Sequence, residues 1–214
     1  MLRTACKRLR APACKAASRS LSATAAVRFS AAKPARLYFY TVDDEGRLFL
    51  EGVKHRNFAT CLKDPTFLDF FYKNLRPVSV LESPAMQQRF PDVPSELASK
   101  YAFVSICGRE LNFVAADSTP IVYRDLVEQS NGEHVLTFAA KLSQPFEPDK
   151  LQLARDGRFY HPAPAFVGGM ALLRSALTFE LERDRVRKTA SGDLLFEFAG
   201  RSFPLAKHSS FEQQ

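Results

Sequence analysis

The amino-acid sequence predicts an α+β protein with two hairpin–helix–hairpin units whose antiparallel sheets pack into one domain. Three observations predict this class. Short apolar strands are separated by glycine-containing turns, and each half holds one segment with helical spacing of its apolar residues. Most gaps between strands are too short for the crossover helices of a parallel sheet. We expect the domain over residues 37–206, with units at 37–115 and 150–206.

The first unit begins with a predicted hairpin. Its strands are residues 37–42 and 47–50, and Gly46 in the turn between them can adopt a positive φ. A helix follows, because Asp64 is a good N-cap and Pro65 suits the first helical position. The apolar face of this helix is formed by Phe67, Leu68, Phe71 and Leu75, and Pro77 ends it.

A second hairpin completes the first unit. A proline-rich connector over residues 76–99 leads to predicted strands at 101–106 and 111–114. Two further strands, at 120–126 and 134–142, flank the sequence Asn-Gly at positions 131 and 132, which is a strong hairpin signal.

The second unit repeats the same order of predicted elements. Strands at 151–154 and 158–160 form its first hairpin, and a helix begins at Gly168 and Gly169. The apolar face of that helix comprises Leu173, Leu177 and Leu181. The closing hairpin has its strands at 194–199 and 203–205.

Two matched turns indicate an internal duplication. Gly46 is followed by Arg47 as Gly157 is followed by Arg158, and the turns at positions 108–109 and 200–201 also read Gly-Arg. The alternative is that Gly-Arg follows a strand by chance, since glycine suits any turn. If the units share one core, Phe103 and Phe113 of the first should pack with Phe196 and Phe198 of the second.

The first 36 residues have the composition of a mitochondrial transit peptide. They contain nine Lys or Arg, no Asp or Glu, and many Ala and Ser. We expect cleavage between Arg28 and Lys33, a mature protein in the mitochondrial matrix, and a short tail at 207–214. The alternative is a basic arm that stays attached and binds nucleic acid or a membrane.

The presequence also accounts for the basic charge of the chain. The net charge is +7, from 30 basic and 23 acidic residues. Without the first nine basic residues, 21 basic residues remain against 23 acidic ones, a net charge of −2. Charge therefore gives no argument for a nucleic-acid partner. No segment approaches the ~20 apolar residues of a membrane-spanning helix, so we expect a soluble protein.

The sequence contains no strong catalytic motif. The dinucleotide-binding and phosphate-loop fingerprints, HExxH and GxSxG are absent, and the His and Cys spacings suggest neither a metal site nor a cofactor. Cys61 and His55 are the one pair that suggests a nucleophile and its base, with Arg56 and Lys63 nearby to favour a thiolate. The simpler interpretation is that Cys61 is a small, partly buried residue before the helix.

Four arginines occupy equivalent positions after the turn glycines. They are Arg47, Arg109, Arg158 and Arg201. If the two units are related by pseudo-symmetry, their turns can converge, and arginines there could bind a carboxylate or phosphate. The alternative is that each arginine pairs locally, with Asp44, Glu110 or Asp156 as nearby partners.

Several segments together resemble an uncharacterised protein family that is found in animal mitochondria and in some bacteria. They are YFYTVDDEGRLFL (38–50), CLKD (61–64), FLDFF (67–71), CGRE (107–110), GRFYHP (157–162) and LRS (173–175). The resemblance covers nearly the whole body and implies no activity or catalytic residue. The repeated hairpin–helix–hairpin order is also similar to a bacterial family of unknown function with a repeated α+β fold, suggested to act in ligand binding or signalling.

The leading hypothesis is a module that binds a protein partner or a small anionic ligand and does no chemistry. It rests on the lack of a concentrated set of acid, base, nucleophile or metal ligands. A second hypothesis is an enzyme whose site lies around His55, Arg56, Asn57, Cys61 and Asp64. A third is an accessory subunit of a matrix complex.

Overall fold

A computed structural model describes residues 34–207. The predicted transit peptide up to Lys33 and the tail from residue 208 lie outside the described residues. Within residues 34–207, four α-helices and several mostly antiparallel sheets confirm the α+β class. Within residues 34–207, no helix has the length and apolar character needed to cross a membrane.

A five-stranded sheet organises the first half. Its strands are β1 (Arg36–Val42), β2 (Leu48–Leu50), β3 (Leu75–Pro77), β4 (Phe103–Cys107) and β5 (Glu110–Ala116). The order across the sheet is β2-β1-β5-β4-β3. The β1–β2 and β4–β5 pairs are antiparallel, as predicted, but β1 and β5 pair in parallel over seven residues. This parallel pair departs from the expected antiparallel sheets, because it joins strands that are distant in sequence and linked by no local turn signal.

The predicted helix is present as α1, Pro65–Lys73, but it ends before Pro77, and Leu75 lies in β3 instead of on the helix. Asp64 caps it, since its Oδ1 accepts the N–H of Phe67 at 2.6 Å, and Pro65 takes the first turn. The buried Phe71 meets Tyr40 of β1 edge-on, with ring centroids 5.2 Å apart. The hydroxyl of Ser105 in β4 donates to the carbonyl of Phe71 at 2.7 Å, so both packing and a buried hydrogen bond hold α1 on the sheet.

The connector covers the opposite face of this sheet. It contains a 3₁₀ helix (Val78–Glu82), α2 (Pro84–Arg89) and α3 (Glu96–Lys100). A separate apolar cluster, here the connector cluster, lies beneath it and comprises Phe90, Tyr101, Val104, Leu111 and Phe113.

The remaining strands form a second five-stranded sheet and two three-stranded sheets. Their bounds are β6 (Val122–Tyr123), β7 (Asp125–Glu128), β8 (His134–Phe138), β9 (Leu142–Pro145), β10 (Gln152–Leu153), β11 (Phe159–Pro162), β12 (Met170–Leu173), β13 (Val186–Lys188), β14 (Leu194–Phe198), β15 (Arg201–Pro204) and β16 (Ala206–Lys207). The sheet orders are β16-β10-β11-β12-β6, β13-β14-β15 and β7-β8-β9. The other helices are a 3₁₀ turn at Pro148–Lys150 and α4 at Ser175–Arg185.

The main apolar cluster draws on all four sheets and on both long helices. Its members include Val42, Leu48, Phe71, Tyr123, Leu136, Phe159, Leu172, Leu177 and Phe196. Phe103 packs against it together with Phe196 and Phe198, as expected. The expectation for Phe113 was wrong, because it lies in the connector cluster. Its neighbour Val114 pairs with Phe103 and faces the main cluster, so alternation along β5 turns Phe113 to the other face.

The predicted start of the second helix was wrong. Gly168 and Gly169 have φ values of +75° and +71°, which a right-handed helix does not use. Residues 170–173 form β12, which pairs with β11 and β6, and α4 begins only at Ser175. Leu177 and Leu181 lie in α4 and are buried, whereas Leu173 belongs to the strand.

Two predicted central strands are also divided. Arg124 separates β6 from β7 within 120–126, and Ala139 adopts a φ of +52° in a turn between β8 and β9. The segment 134–142 is therefore a strand and the beginning of its hairpin partner.

The two halves show the same order of elements around their helices. A hairpin precedes each helix (β1–β2 and β10–β11), and a three-stranded antiparallel arrangement follows it (β3–β4–β5 and β13–β14–β15). The duplication itself stays a prediction. An experimental structure in which the two sets of elements do not superpose in this order would exclude it.

His161 is fully buried beside the main cluster. Its Nε2 accepts the N–H of Glu147 at 3.0 Å, and Nδ1 lies 3.2 Å from the carbonyl oxygen of Pro162. Accepting through Nε2 requires the neutral ring. Burial lowers the pKa of His161 below its usual range, so the folded chain holds the imidazole uncharged.

This burial predicts acid sensitivity. The unfolded chain binds the His161 proton more tightly than the folded chain, so the free energy of unfolding falls as the pH drops below the usual value of 6.5. Between about pH 7.5 and about pH 5.5 we expect His161 to lower the free energy of unfolding progressively. Urea unfolding should show a shallower pH dependence in His161→Gln than in wild type. The exposed His55→Gln variant serves as control, and equal slopes in all three proteins would contradict the prediction.

Candidate functional site

A cleft of about 500 Å³ opens between the β1–β2 turn, the loop before α1, α1 itself, the β8–β9 turn and the residue before α4. We call it the basic cleft. Its charged lining residues are Arg47, Lys63, Arg124 and Arg174, with Glu45 as the acid. The rest of the lining is largely apolar and includes Leu48, Leu62, Leu68 and Phe58. It therefore combines positive charge with apolar surface.

Two of the four cations have carboxylate partners. Arg47 Nε lies 2.7 Å from Asp43 Oδ2, and Arg174 Nη2 lies 2.7 Å from Asp125 Oδ1. Among residues 34–207, neither Lys63 nor Arg124 has an ion-pair partner. The Arg124 guanidinium instead makes a long contact of 3.4 Å to the carbonyl oxygen of Ala139. Lys63 and Arg124 thus leave uncompensated positive charge in the wall of the cleft.

Arg124 and Arg174 reach the cleft through a parallel strand pair. Tyr123 of β6 lies beside Leu173 of β12, and the N–H of Arg174 donates to the carbonyl of Tyr123 at 2.9 Å. The two arginines therefore leave neighbouring strands at the same edge of the sheet. Arg174 also has a buried Nε that makes no hydrogen bond within the described part of the chain. It directly precedes α4, whose first turn carries no side-chain cap, and the partial positive charge of a helix start adds to the field.

Tyr72 closes the inner wall of the cleft. Burial raises the pKa of its hydroxyl, the Asp43 carboxylate raises it further, and Arg124 acts in the opposite direction. The phenol therefore stays neutral near physiological pH and cannot serve as a base.

The predicted residues before α1 build a tight loop. The side-chain Oδ1 of Asn57 accepts the N–H groups of Ala59 at 2.8 Å and Thr60 at 3.2 Å. The Thr60 hydroxyl donates to the carbonyl of His55 at 2.7 Å. Cys61 lines the basic cleft, and its thiol donates to the carbonyl of Phe58 at 3.3 Å. In the described part of the chain, no hydrogen bond joins Cys61 to His55.

Two other predicted arginines lie outside the cleft lining. Arg56 pairs with Asp117 at 2.9 Å on the surface. Arg109 has a buried Nε without a hydrogen bond among residues 34–207, and its carbonyl accepts the N–H of Arg36 at 3.0 Å. The hairpin turns therefore do not gather all of the equivalent arginines at one place.

Arg158 joins the first hairpin turns of the two halves. Its Nε lies 2.6 Å from Asp156 Oδ2, and its Nη1 lies 3.0 Å from Asp44 Oδ2 and 2.9 Å from the hydroxyl of Ser118. Asp44 and Asp43 are adjacent in the β1–β2 turn, and Asp43 orients Arg47 toward the cleft side of that turn. Arg158 therefore acts as a cross-link that holds a turn lining the cleft.

Sequence reasoning found Arg47, Cys61 and Lys63 but missed Arg124 and Arg174. The available signal was the similarity between the sequences VYRD (122–125) and LLRS (172–175), in which an arginine follows two apolar residues. Its meaning depends on the parallel pairing of the two strands, which local sequence patterns do not reveal.

No three His, Cys, Asp or Glu side chains between residues 34 and 207 come together as a group that could hold a metal ion. The charged side chains of the cleft lining are Arg47, Lys63, Arg124, Arg174 and Glu45, so an anion is the ligand that the lining favours. Arginine and lysine side chains bind carboxylates and phosphates through charge-assisted hydrogen bonds.

The chain belongs to the family described as "Domain of unknown function (DUF4505)", whose model matches residues 29–209. The prediction of an uncharacterised family is thereby confirmed. The chain is also similar to two solved bacterial structures, both of DUF1285 family proteins. One, from Silicibacter pomeroyi DSS-3, is 15% identical with a TM-score of 0.47, and the match covers 84% of this chain and 87% of that chain. The other, from Shewanella baltica OS155, is 13% identical with a TM-score of 0.43, and covers 68% and 91%.

The Asp44–Arg158 contact generates a test of the cross-link between the turns. Because both side chains are partly exposed, we expect a coupling of about 0.5–1 kcal/mol in a double-mutant cycle of Asp44→Asn and Arg158→Gln, measured by urea unfolding. Arg183 pairs with Asp184 and not with Asp44, so the control cycle of Asp44→Asn and Arg183→Gln should show no measurable coupling. Additive effects at Asp44 and Arg158 would mean that the contact does not join the turns in solution.

Proposed function

We propose that this protein binds a small organic anion in the basic cleft and does no chemistry there. The observation that carries the proposal is the charge of the cleft wall, in which four cations face a single lining carboxylate. After the pairs with Asp43 and Asp125 are set aside, Lys63 and Arg124 still outnumber Glu45. An anion would supply the partner that these two side chains lack among residues 34–207.

The surroundings of these charges favour binding over simple solvation. Arg47 and Arg174 are partly buried, whereas Lys63 and Arg124 are exposed in the lining, where an anion can reach them directly. Leu48 and Tyr72 are buried in that wall, and Leu62 and Leu68 are partly buried. A volume of about 500 Å³ lies in the range of small-molecule and cofactor sites, well beyond the needs of an inorganic ion.

The local chemistry supports binding without catalysis. The Cys61 thiol donates to the carbonyl of Phe58, and in the described residues no hydrogen bond joins it to His55 as a base. Tyr72 is neutral. The cleft lining contains no histidine among the described residues.

We further propose that the protein acts in the mitochondrial matrix after cleavage of its presequence. The support is the composition of the first 36 residues, with nine basic residues and no acid. Residues 1–36 fused to a reporter should direct it to mitochondria, and protein recovered from mitochondria should begin between positions 28 and 34. A reporter that stays in the cytosol would contradict the proposed import, and a recovered protein that still begins at Met1 would contradict the cleavage.

Anion binding is tested with inorganic phosphate at constant ionic strength. We expect calorimetric titration of the full chain to show binding that weakens about tenfold in Lys63→Gln and in Arg124→Gln, since each charge-assisted hydrogen bond contributes ~1.5–3 kcal/mol. In a separate series on the wild-type protein, added sodium chloride should weaken phosphate binding, because salt screens the charges.

The matched control is Lys54→Gln. Lys54 is an exposed lysine in the same loop as Lys63, but it does not line the cleft. Its variant should bind phosphate like wild type. No phosphate binding by the wild-type protein, or equal weakening by all three substitutions, would contradict the proposal that the basic cleft is the site.

A further inference from the structure

We infer that the anion bound in the basic cleft carries an aromatic ring and that Phe58 is the surface on which this ring stacks. The inference rests on the proposed function and specifies the class of ligand. It starts from Phe58, whose side chain lines the cleft although the residue is 70% exposed. A single exposed phenylalanine is ordinary on a protein surface, so its exposure alone carries nothing.

The position of Phe58 relative to charge is the first specific observation. The Lys63 ammonium lies 3.9 Å from the centroid of the Phe58 ring, which is a close cation–π contact. Lys63 is also one of the two cleft cations without an ion-pair partner in residues 34–207. The Lys63 ammonium thus covers one face of the Phe58 ring, and the opposite face and the ring edge lie beside an available positive charge.

The loop that carries Phe58 is held in place before any ligand arrives. Asn57 and Thr60 on either side of it exchange backbone and side-chain hydrogen bonds, and the Cys61 thiol donates to the carbonyl of Phe58 itself. The exposed ring is therefore presented by an ordered turn. Preorganisation of this kind lowers the conformational entropy lost on binding.

The size and lining of the cleft agree with a ligand that is larger than a bare anion. Leu48, Leu62 and Leu68 contribute apolar surface in the same space as the cations. A ligand with its anionic group near Lys63 and Arg124 would have room for a ring against Phe58. Offset or edge-on contact between two rings adds stability beyond the apolar area that they bury.

Three monoesters with the same charged group test the inference on the full chain. Phenyl phosphate, cyclohexyl phosphate and methyl phosphate are titrated by calorimetry at constant ionic strength. We expect phenyl phosphate to bind about fivefold more tightly than methyl phosphate, within the range of aromatic pair energies, and more tightly than cyclohexyl phosphate.

Variants at the ring then locate the effect. Phe58→Ala should reduce phenyl phosphate to the affinity of methyl phosphate, while Phe58→Tyr should keep the preference. Phe179→Ala is the matched control, because Phe179 is 64% exposed and has the Arg183 guanidinium over its ring at 5.9 Å, but does not line the cleft. The Phe179→Ala variant should keep the wild-type preference for phenyl phosphate over methyl phosphate. Unaltered melting temperatures would verify that each variant is folded.

The outcomes separate the two proposals. If methyl phosphate binds and is weakened by Lys63→Gln, but phenyl phosphate is no tighter, the aromatic inference is overturned while anion binding stands. Equal affinities for phenyl and cyclohexyl phosphate, or a preference that survives Phe58→Ala, would also overturn it. If none of the three esters binds, the proposed function fails together with this inference.

Discussion

The parallel pairing of β1 with β5 is the constraint on which the rest of the structure depends. Its register runs from the pair Arg36–Glu110 to the pair Val42–Ala116, and it places β1 between β2 and β5 in the sheet. Because side chains alternate along both strands, Tyr40 and Val114 face the main apolar cluster while Phe39 and Phe113 face the connector cluster. A shift of one residue would exchange these faces, so this register decides which face carries α1 and which carries the connector.

The candidate site follows from this arrangement and from a second parallel pair. The β1–β2 turn carries Arg47, and the contact between Arg158 and Asp44 holds that turn against the second half of the chain. Gly46 in the same turn has a φ of +72°, and a Cβ atom there would lie 3.1 Å from Cβ of Val122 in β6. The turn is therefore packed directly against the strand that leads to Arg124. The parallel pair β6–β12 then sets Arg174 beside Arg124.

Local sequence signals predicted the elements well where the cause is local. The N-cap of α1 is a hydrogen bond between Asp64 and Phe67, three positions apart. The pair Asp64-Pro65 predicts it from the sequence. The β1–β2 and β4–β5 hairpins depend on glycine turns of the same local kind. Gly168 and Gly169 were misjudged because a glycine pair suits a helix start and a loop equally well. What decides between them is whether residues 170–173 find strand partners, and those partners are distant in sequence.

The sequence by itself determined the fold class, the hairpins, the cap of α1 and the family, together with the expectation that arginines after turns bind anions or pair locally. It placed Arg47 and Cys61 among the candidates, but it gave no reason to join them with Arg124 and Arg174. Only the tertiary structure decided which cations share a cleft, which of them already have a carboxylate, and that Phe58 stands next to Lys63 at its edge. The physical reason is that turns and caps are stabilised within a few residues, whereas a cleft is formed by strand register and packing between residues more than a hundred positions apart.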